Sequence, residues 1–427
     1  MKLSRISGFG LALIVSCFTA MTAAALDAPH SLHHARSAES HLTASHHSAH
    51  RAGGTHAAHT TVPASQPARL TTRGKSRAQA RRVALTTGRH HHHFYERFTA
   101  SSFAKDGMLA GDLTAGEDPI VRQAAIDALG DMNGTAVVID PSNGRILAMV
   151  NQKLALSPGA EPCSTIKITV AMAALSEGLV TRDTPVKLSG FHMNMTQALA
   201  KSNNLYFEEL GRQLGFERVR HYANQFGLGE LAGYNIDGEQ LGVYPDRELP
   251  ASEGGVARMC SFGQGVSLTP LQLGAYVAAL ANGGTLYYLQ HPTTAEEVAR
   301  FEPKVKRTLD IARFVPDIED GMAGAVEYGT ARRLRANFHE LPVFGKTGTC
   351  SDKGTRFGWF ASFSDSPHGS LVTVFFLEGG RPTFGPRAAE LTGEFYQNLW
   401  DRNWFAPKGQ QDAASVPAVP SAVQAQP

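Results

Sequence analysis

Two short apolar runs, 135–140 and 145–150, meet across Pro141-Ser142-Asn143-Gly144. An Asn-Gly pair between such runs is a strong hairpin signal, because these residues accept the positive φ that a tight turn demands. Three more strand-like runs, 341–349, 357–363 and 371–377, lie near the other end of the chain, separated by turn-rich pieces. Between the two groups the apolar positions recur mostly at helical spacing, as in 208–214 and 270–280. Asp118-Pro119 opens a further helix that reads to Leu129, and 386–400 carries Ala388, Leu391, Phe395 and Leu399 on one stripe. The simplest arrangement is an α+β fold. A five-stranded antiparallel sheet has the N-terminal hairpin beside the last strands, helices from both chain ends cover it, and an all-helical subdomain is inserted between.

The pattern fails at both ends. Lys2 and Arg5 precede an uncharged run over 6–26 that closes on Ala23-Ala24-Ala25, so 1–25 reads as an export signal. The alanine cluster favours cleavage, while 21 uncharged residues are also long enough for a membrane anchor. Cys17, in a poor lipobox inside that run, reads as filler.

Residues 26–98 hold 13 of the 18 histidines and ten Lys/Arg against three Asp/Glu, with hardly any large apolar side chains. Such a segment cannot build a core and is expected to be a disordered linker, as is the Ala/Pro/Gln/Ser-rich tail 406–427. The overall charge of +2 therefore hides a basic arm and, from residue 99 on, 35 acidic against 28 basic side chains. A solvated spacer is the ordinary reading of the arm; contact with anionic envelope polymers or lipid headgroups is the alternative. As a tether it would span roughly 45 Å. His33-His34, His46-His47 and the run 90–93 could hold zinc or nickel loosely, but without fixed geometry they make no metal site. One folded domain, 99–405, remains, and no cofactor, metal or nucleic-acid partner is expected.

Three short patterns in that domain carry chemistry in a fixed order: Ser164-Thr165-Ile166-Lys167, Ser202-Asn203-Asn204 and Lys346-Thr347-Gly348-Thr349. An isolated S-x-x-K is ordinarily an N-cap serine with a surface lysine. Here the helical pattern of 164–176 puts Ser164 at a helix start, and Ile166, Ile168, Val170 and Ala171 surround Lys167 with apolar neighbours. A desolvated lysine loses basicity and can take a serine proton near neutral pH. Ser202-Asn203-Asn204 falls between two helix-like stretches, where capping competes with a proton-relay role for Ser202 and an amide-holding role for Asn204; Lys201 adds charge nearby. Lys346-Thr347-Gly348-Thr349 lies on a strand. Its edge can pair with an extended peptide, Lys346 and Thr347 can grip a carboxylate, and the N–H groups of Ser164 and Thr349 can form an oxyanion hole.

With these motifs the chain resembles the penicillin-binding transpeptidase family, which shares its fold with serine β-lactamases. The resemblance runs from about residue 118 to 400. It includes Val137-Val138-Ile139-Asp140-Pro141, Phe226-Gly227-Leu228-Gly229, Ser261-Phe262-Gly263-Gln264-Gly265, Thr269-Pro270-Leu271-Gln272, Ala281-Asn282-Gly283-Gly284 and Gly329-Thr330-Ala331. It implies a D,D-transpeptidase acting through an acyl-serine on D-Ala-D-Ala stem peptides of peptidoglycan, with β-lactams as covalent inhibitors. It also implies a catalytic domain outside the cytoplasm, periplasmic or anchored at the inner membrane.

The alternatives are a D,D-carboxypeptidase, a serine β-lactamase and a non-catalytic β-lactam sensor. Neither an E-x-x-L-N segment nor a Y-G-N triplet is present to support the lactamase. A disordered arm is expected where larger members carry folded N-terminal domains, and the 38-residue step from Ser164 to Ser202 is short for the family, so the segment beside the cleft is expected to be trimmed. Cys163 and Cys350 occupy positions where the family commonly has glycine and another small residue. A disulfide between them is similar to one in some class A carbapenemases, and two buried free thiols are the alternative.

Overall fold

The computed structural model describes residues 100–366, 369–380 and 383–406. The expected signal or anchor (1–25), the linker (26–98) and, but for Ala406, the tail lie outside them. No helix among the described residues is long and apolar enough to cross a membrane.

Asp118 starts the first helix. Its carboxylate accepts from the Ile120 and Val121 amides at 2.9 and 3.0 Å, and α1 (Pro119–Leu129) follows with proline where no amide is needed. The hairpin comes next, β1 (Gly134–Asp140) with β2 (Arg145–Val150). After the helical region come β3 (Val343–Asp352), β4 (Thr355–Ser364) and β5 (Leu371–Gly379). The sheet order is β2-β1-β5-β4-β3, antiparallel throughout, as the pattern predicted. This order leaves β3 at an edge.

Alternate residues of each strand enter different cores. Ala136, Val138, Phe360 and Phe375 join Leu129 of α1 and Leu391 and Phe395 of α9 (Gly385–Asp401) on one face. Val137, Ile139, Trp359 and Val374 face the helical region. A period of two with apolar residues in both phases means a sheet covered on both sides. The second face is crossed by α7 (Pro270–Ala281), which begins with reciprocal Thr269 and Gln272 side-chain caps.

At the centre of the helical region lies α2 (Lys167–Ser176), buried from Lys167 to Leu175. A helix that is apolar all round can only be an interior one. It is wrapped by α4 (Asn204–Leu214), α5 (Phe216–Gln225) and α6 (Gly255–Phe262). The short α3 (Met195–Ala200) packs on α8 (Val315–Glu327), which also contacts β3. Their approach is close: a Cβ at Gly321 would stand 2.6 Å from Leu199 side-chain carbons.

One element differs from its sequence reading. Ser164 does not begin an α-helix; it sits in a 3₁₀ turn, Cys163–Ile166, that leads into α2. The Thr165 amide and hydroxyl both donate to the Pro162 carbonyl, at 3.1 and 2.7 Å, which tightens the turn to three-residue spacing. Two small ribbons, Val186–Lys187 with His192–Met193 and Thr285–Tyr287 with Val305–Thr308, are too short to have shown a periodic signal.

Candidate active site

Three motifs arrive from three elements and meet. Lys167, the first residue of α2, places Nζ 3.0 Å from Ser164 Oγ, one turn before it. The same Nζ lies 2.9 Å from the Ser202 carbonyl oxygen, 3.2 Å from Ser202 Oγ and 2.6 Å from Asn204 Oδ1. From β3, Lys346 Nζ donates to Ser202 Oγ at 2.8 Å and to the Thr347 carbonyl at 3.0 Å. The hydroxyl of Ser202 thus lies between two amines.

The local sequence explains how Ser202 gets there. The Asn203 amide donates to Ala198 O at 2.9 Å and the Ser202 amide to Leu199 O at 3.2 Å, the paired bonds that close a helix with a left-handed residue. Glycine normally takes that position. Here Ser202 holds φ +53°, a conformation costing about 1–2 kcal/mol, and so turns its hydroxyl into the cluster. Asn203 then caps α4, its Oδ1 accepting from Tyr206 N at 3.0 Å, and Asn204 begins the helix facing Lys167. Capping and chemistry were competing readings of this triplet; the structure assigns the first to Asn203 and brings Ser202 and Asn204 to the amine. Lys201, in contrast, is exposed at the end of α3.

Burial sets the charge. Lys167 has no exposed surface, and desolvation pushes its amine down to about 7 against a weaker upward pull from Glu208. The Phe207 ring, one helical turn beyond Asn204, lies 5.6 Å from Nζ and helps keep water away. A neutral amine has two hydrogens and one lone pair. The Ser202 carbonyl and the Asn204 amide oxygen can only accept, so they take the two hydrogens and leave the lone pair for a hydroxyl. Lys346 is equally buried and is held well below its usual range by desolvation and then by Lys167.

The edge strand closes the site. At Gly348 an added Cβ would lie 2.8 Å from Pro162 O and 3.1 Å from Thr165 Cγ2, so only glycine lets β3 pass the serine turn this closely. Thr347 is buried, while Thr349 is exposed, with its Oγ1 accepting from Gly385 N at 2.8 Å. Trp359 on β4 donates its indole N–H to Glu161 O at 3.0 Å, pinning the segment before the serine. Cys163 and Cys350 are joined as a disulfide with Cα atoms 5.5 Å apart, so the residues beside Ser164 and Thr349 are linked. Phe207, Trp359 and Thr330 belong to the site's surroundings but had no role in the sequence reading. Phe207 was the accessible one, three residues after Asn204 on the same helical face.

A serine within hydrogen-bond reach of a buried lysine, beside a K-T-G segment on the edge strand of this sheet, defines a class, and comparison with known proteins agrees. Residues 134–394 match the penicillin binding protein transpeptidase domain. The chain belongs to the penicillin-binding protein transpeptidase family. It is 28% identical over 330 residues to stage V sporulation protein D of Bacillus subtilis (strain 168), covering 65% of this chain and 50% of that protein. It is 26% identical over 366 residues to the peptidoglycan D,D-transpeptidase MrdA of Acinetobacter baumannii, covering 67% and 53%. Among solved structures, the crystal structure of Pseudomonas aeruginosa PBP2 in complex with WCK 5153 shares the fold, with TM-score 0.57 and 22% identity over 69% of this chain and 78% of that one. The chain spans about half the length of these two curated relatives.

Proposed function

We propose that this chain is a D,D-transpeptidase of peptidoglycan, with Ser164 as nucleophile. The observation that carries the reading is the neutral-leaning Lys167 amine 3.0 Å from Ser164 Oγ, with its other partners restricted to acceptors and one shared hydroxyl. Lys167 takes the Oγ proton as Oγ bonds to the carbonyl carbon of the penultimate D-alanine. The N–H groups of Ser164 and Thr349 hold the oxyanion, each worth about 3 kcal/mol. Ser202 gives a proton to the nitrogen of the last D-alanine as that C–N bond breaks, and draws one in turn from the lysines beside it. Free D-alanine leaves. An amine of a neighbouring stem peptide then attacks the ester, the C–Oγ bond breaks, and Ser164 regains its proton; water in its place would make a D,D-carboxypeptidase.

Asn204 holds the substrate amide, Thr347 the terminal carboxylate, and the edge of β3 at Gly348 the extended peptide; Lys346, expected from the sequence to share the carboxylate, has its buried amine on Ser202 Oγ and the Thr347 carbonyl instead. The Cys163–Cys350 bridge fixes the two oxyanion donors relative to each other, and such a bridge suits an exported protein. The chain would act outside the cytoplasm, in the periplasm or anchored at the inner membrane, where β-lactams would acylate Ser164.

Incubation of the pure protein with a fluorescent penicillin tests this. A stable label that disappears in Ser164→Ala is expected. Rapid turnover would make the chain a serine β-lactamase instead, and no label at all would leave only a binding role.

A further inference from the structure

Gly329-Thr330-Ala331, just after α8, has no part in the chemistry above. Its placement is nevertheless closely fixed. Thr330 donates its amide N–H to Ala200 O at 3.1 Å, at the end of α3, and the Ala331 amide donates to Ala325 O at 2.8 Å. A Cβ at Gly329 would stand 2.1 Å from Ala200 O, so the segment lies flat against the helix that ends in Ser202. On its other side, half-buried Thr330 places Oγ1 2.6 Å from Oγ1 of Thr347, which is 4% exposed.

Each hydroxyl has one hydrogen, and two hydroxyls in contact share one of the pair. If Thr347 donates to Thr330, it has no hydrogen left for a ligand. If Thr330 donates, Thr347 keeps its own hydrogen and becomes a stronger donor, because an accepted hydrogen bond polarises the O–H. A carboxylate offers only acceptors, so it selects the second arrangement.

We propose that Thr330 is a positioning residue for carboxylate recognition: its O–H donates to Thr347 Oγ1 and turns the Thr347 hydrogen toward the terminal carboxylate of the donor peptide or of a β-lactam. The same segment rests on α3, so the carboxylate grip and the Ser202 turn share one support. This inference rests on the proposed function, in which Thr347 meets a carboxylate.

The test measures acylation by benzylpenicillin and by its methyl ester, in competition with the fluorescent label, for wild type, Thr330→Val, Thr330→Ser, Thr347→Val and the double valine variant. Thr330→Val, nearly the same shape, leaves Thr347 its hydrogen but removes the bond that polarises and aims it, and is expected to weaken the initial non-covalent binding of the acid about threefold and to leave the limiting acylation rate unchanged. Preference for acid over ester should fall by the same factor, Thr330→Ser should restore it, and Thr330→Val should add nothing in the Thr347→Val background. Equal losses for acid and ester, or additive losses in the double variant, would mean a packing role and overturn the inference. So would wild-type binding by Thr330→Val. A wild-type chain that takes no label would overturn the proposed function itself, whereas a labelled wild type beside an unaffected Thr330→Val overturns this inference alone.

Discussion

At the scale of single residues, the proposed chemistry turns on the balance at Lys167. Desolvation holds the amine to about 7, and only its neutral form can accept the Ser164 proton. The rate of acylation by penicillin should therefore rise with pH through a midpoint near 7 and level off above it. Glu208 pulls the amine upward, so Glu208→Gln should move that midpoint to lower pH, read from the same rate profile. The sequence showed the cause of this balance, since Ile166, Ile168 and Val170 announce a lysine in apolar company. It did not show Lys346 drawn onto Ser202: a K-T-G strand reads as a surface grip, and only the meeting of β3 with the end of α3 turns its amine inward. Nor did it give Thr330 a task, because the Thr330–Thr347 contact depends on how α8 leans on β3.

At the scale of elements, the junction of α3 and α4 joins local folding to chemistry. Asn203 caps α4 between the two residues that face Lys167, so its loss should be felt twice. Asn203→Ala is expected to lower stability by about 1 kcal/mol and to slow penicillin labelling, while Asn203→Asp, which keeps the capping oxygen, should change stability little; melting and labelling rates measured together check this. The five strands and α1, α7 and α9 were legible because their apolar periods run for two or more turns or several alternations, whereas α8 was not named. The turn at Ser164 was misread for the opposite reason. Its shape rests on the Thr165 amide and hydroxyl both donating to Pro162 O, local bonds that leave no mark in a periodic pattern.

At the scale of the whole molecule, burying two amines costs stability. Lys167 has a folded value below its unfolded one, so the penalty is absent at pH above about 10.4, grows as pH falls, and is complete below about 7. It amounts to on the order of 5 kcal/mol at most. Lys167→Met should melt higher than wild type at pH 7, with the gap narrowing toward pH 10, while losing penicillin labelling; thermal unfolding across that range reads it directly. The bridge between Cys163 and Cys350 has a different kind of reach. It spans 187 positions, and nearly all the helical region lies inside that span. A protease that cuts anywhere within it opens the main chain yet leaves the Ser164 turn covalently fastened to the edge strand, so a nicked molecule would run as one band on a gel until a reductant splits it in two.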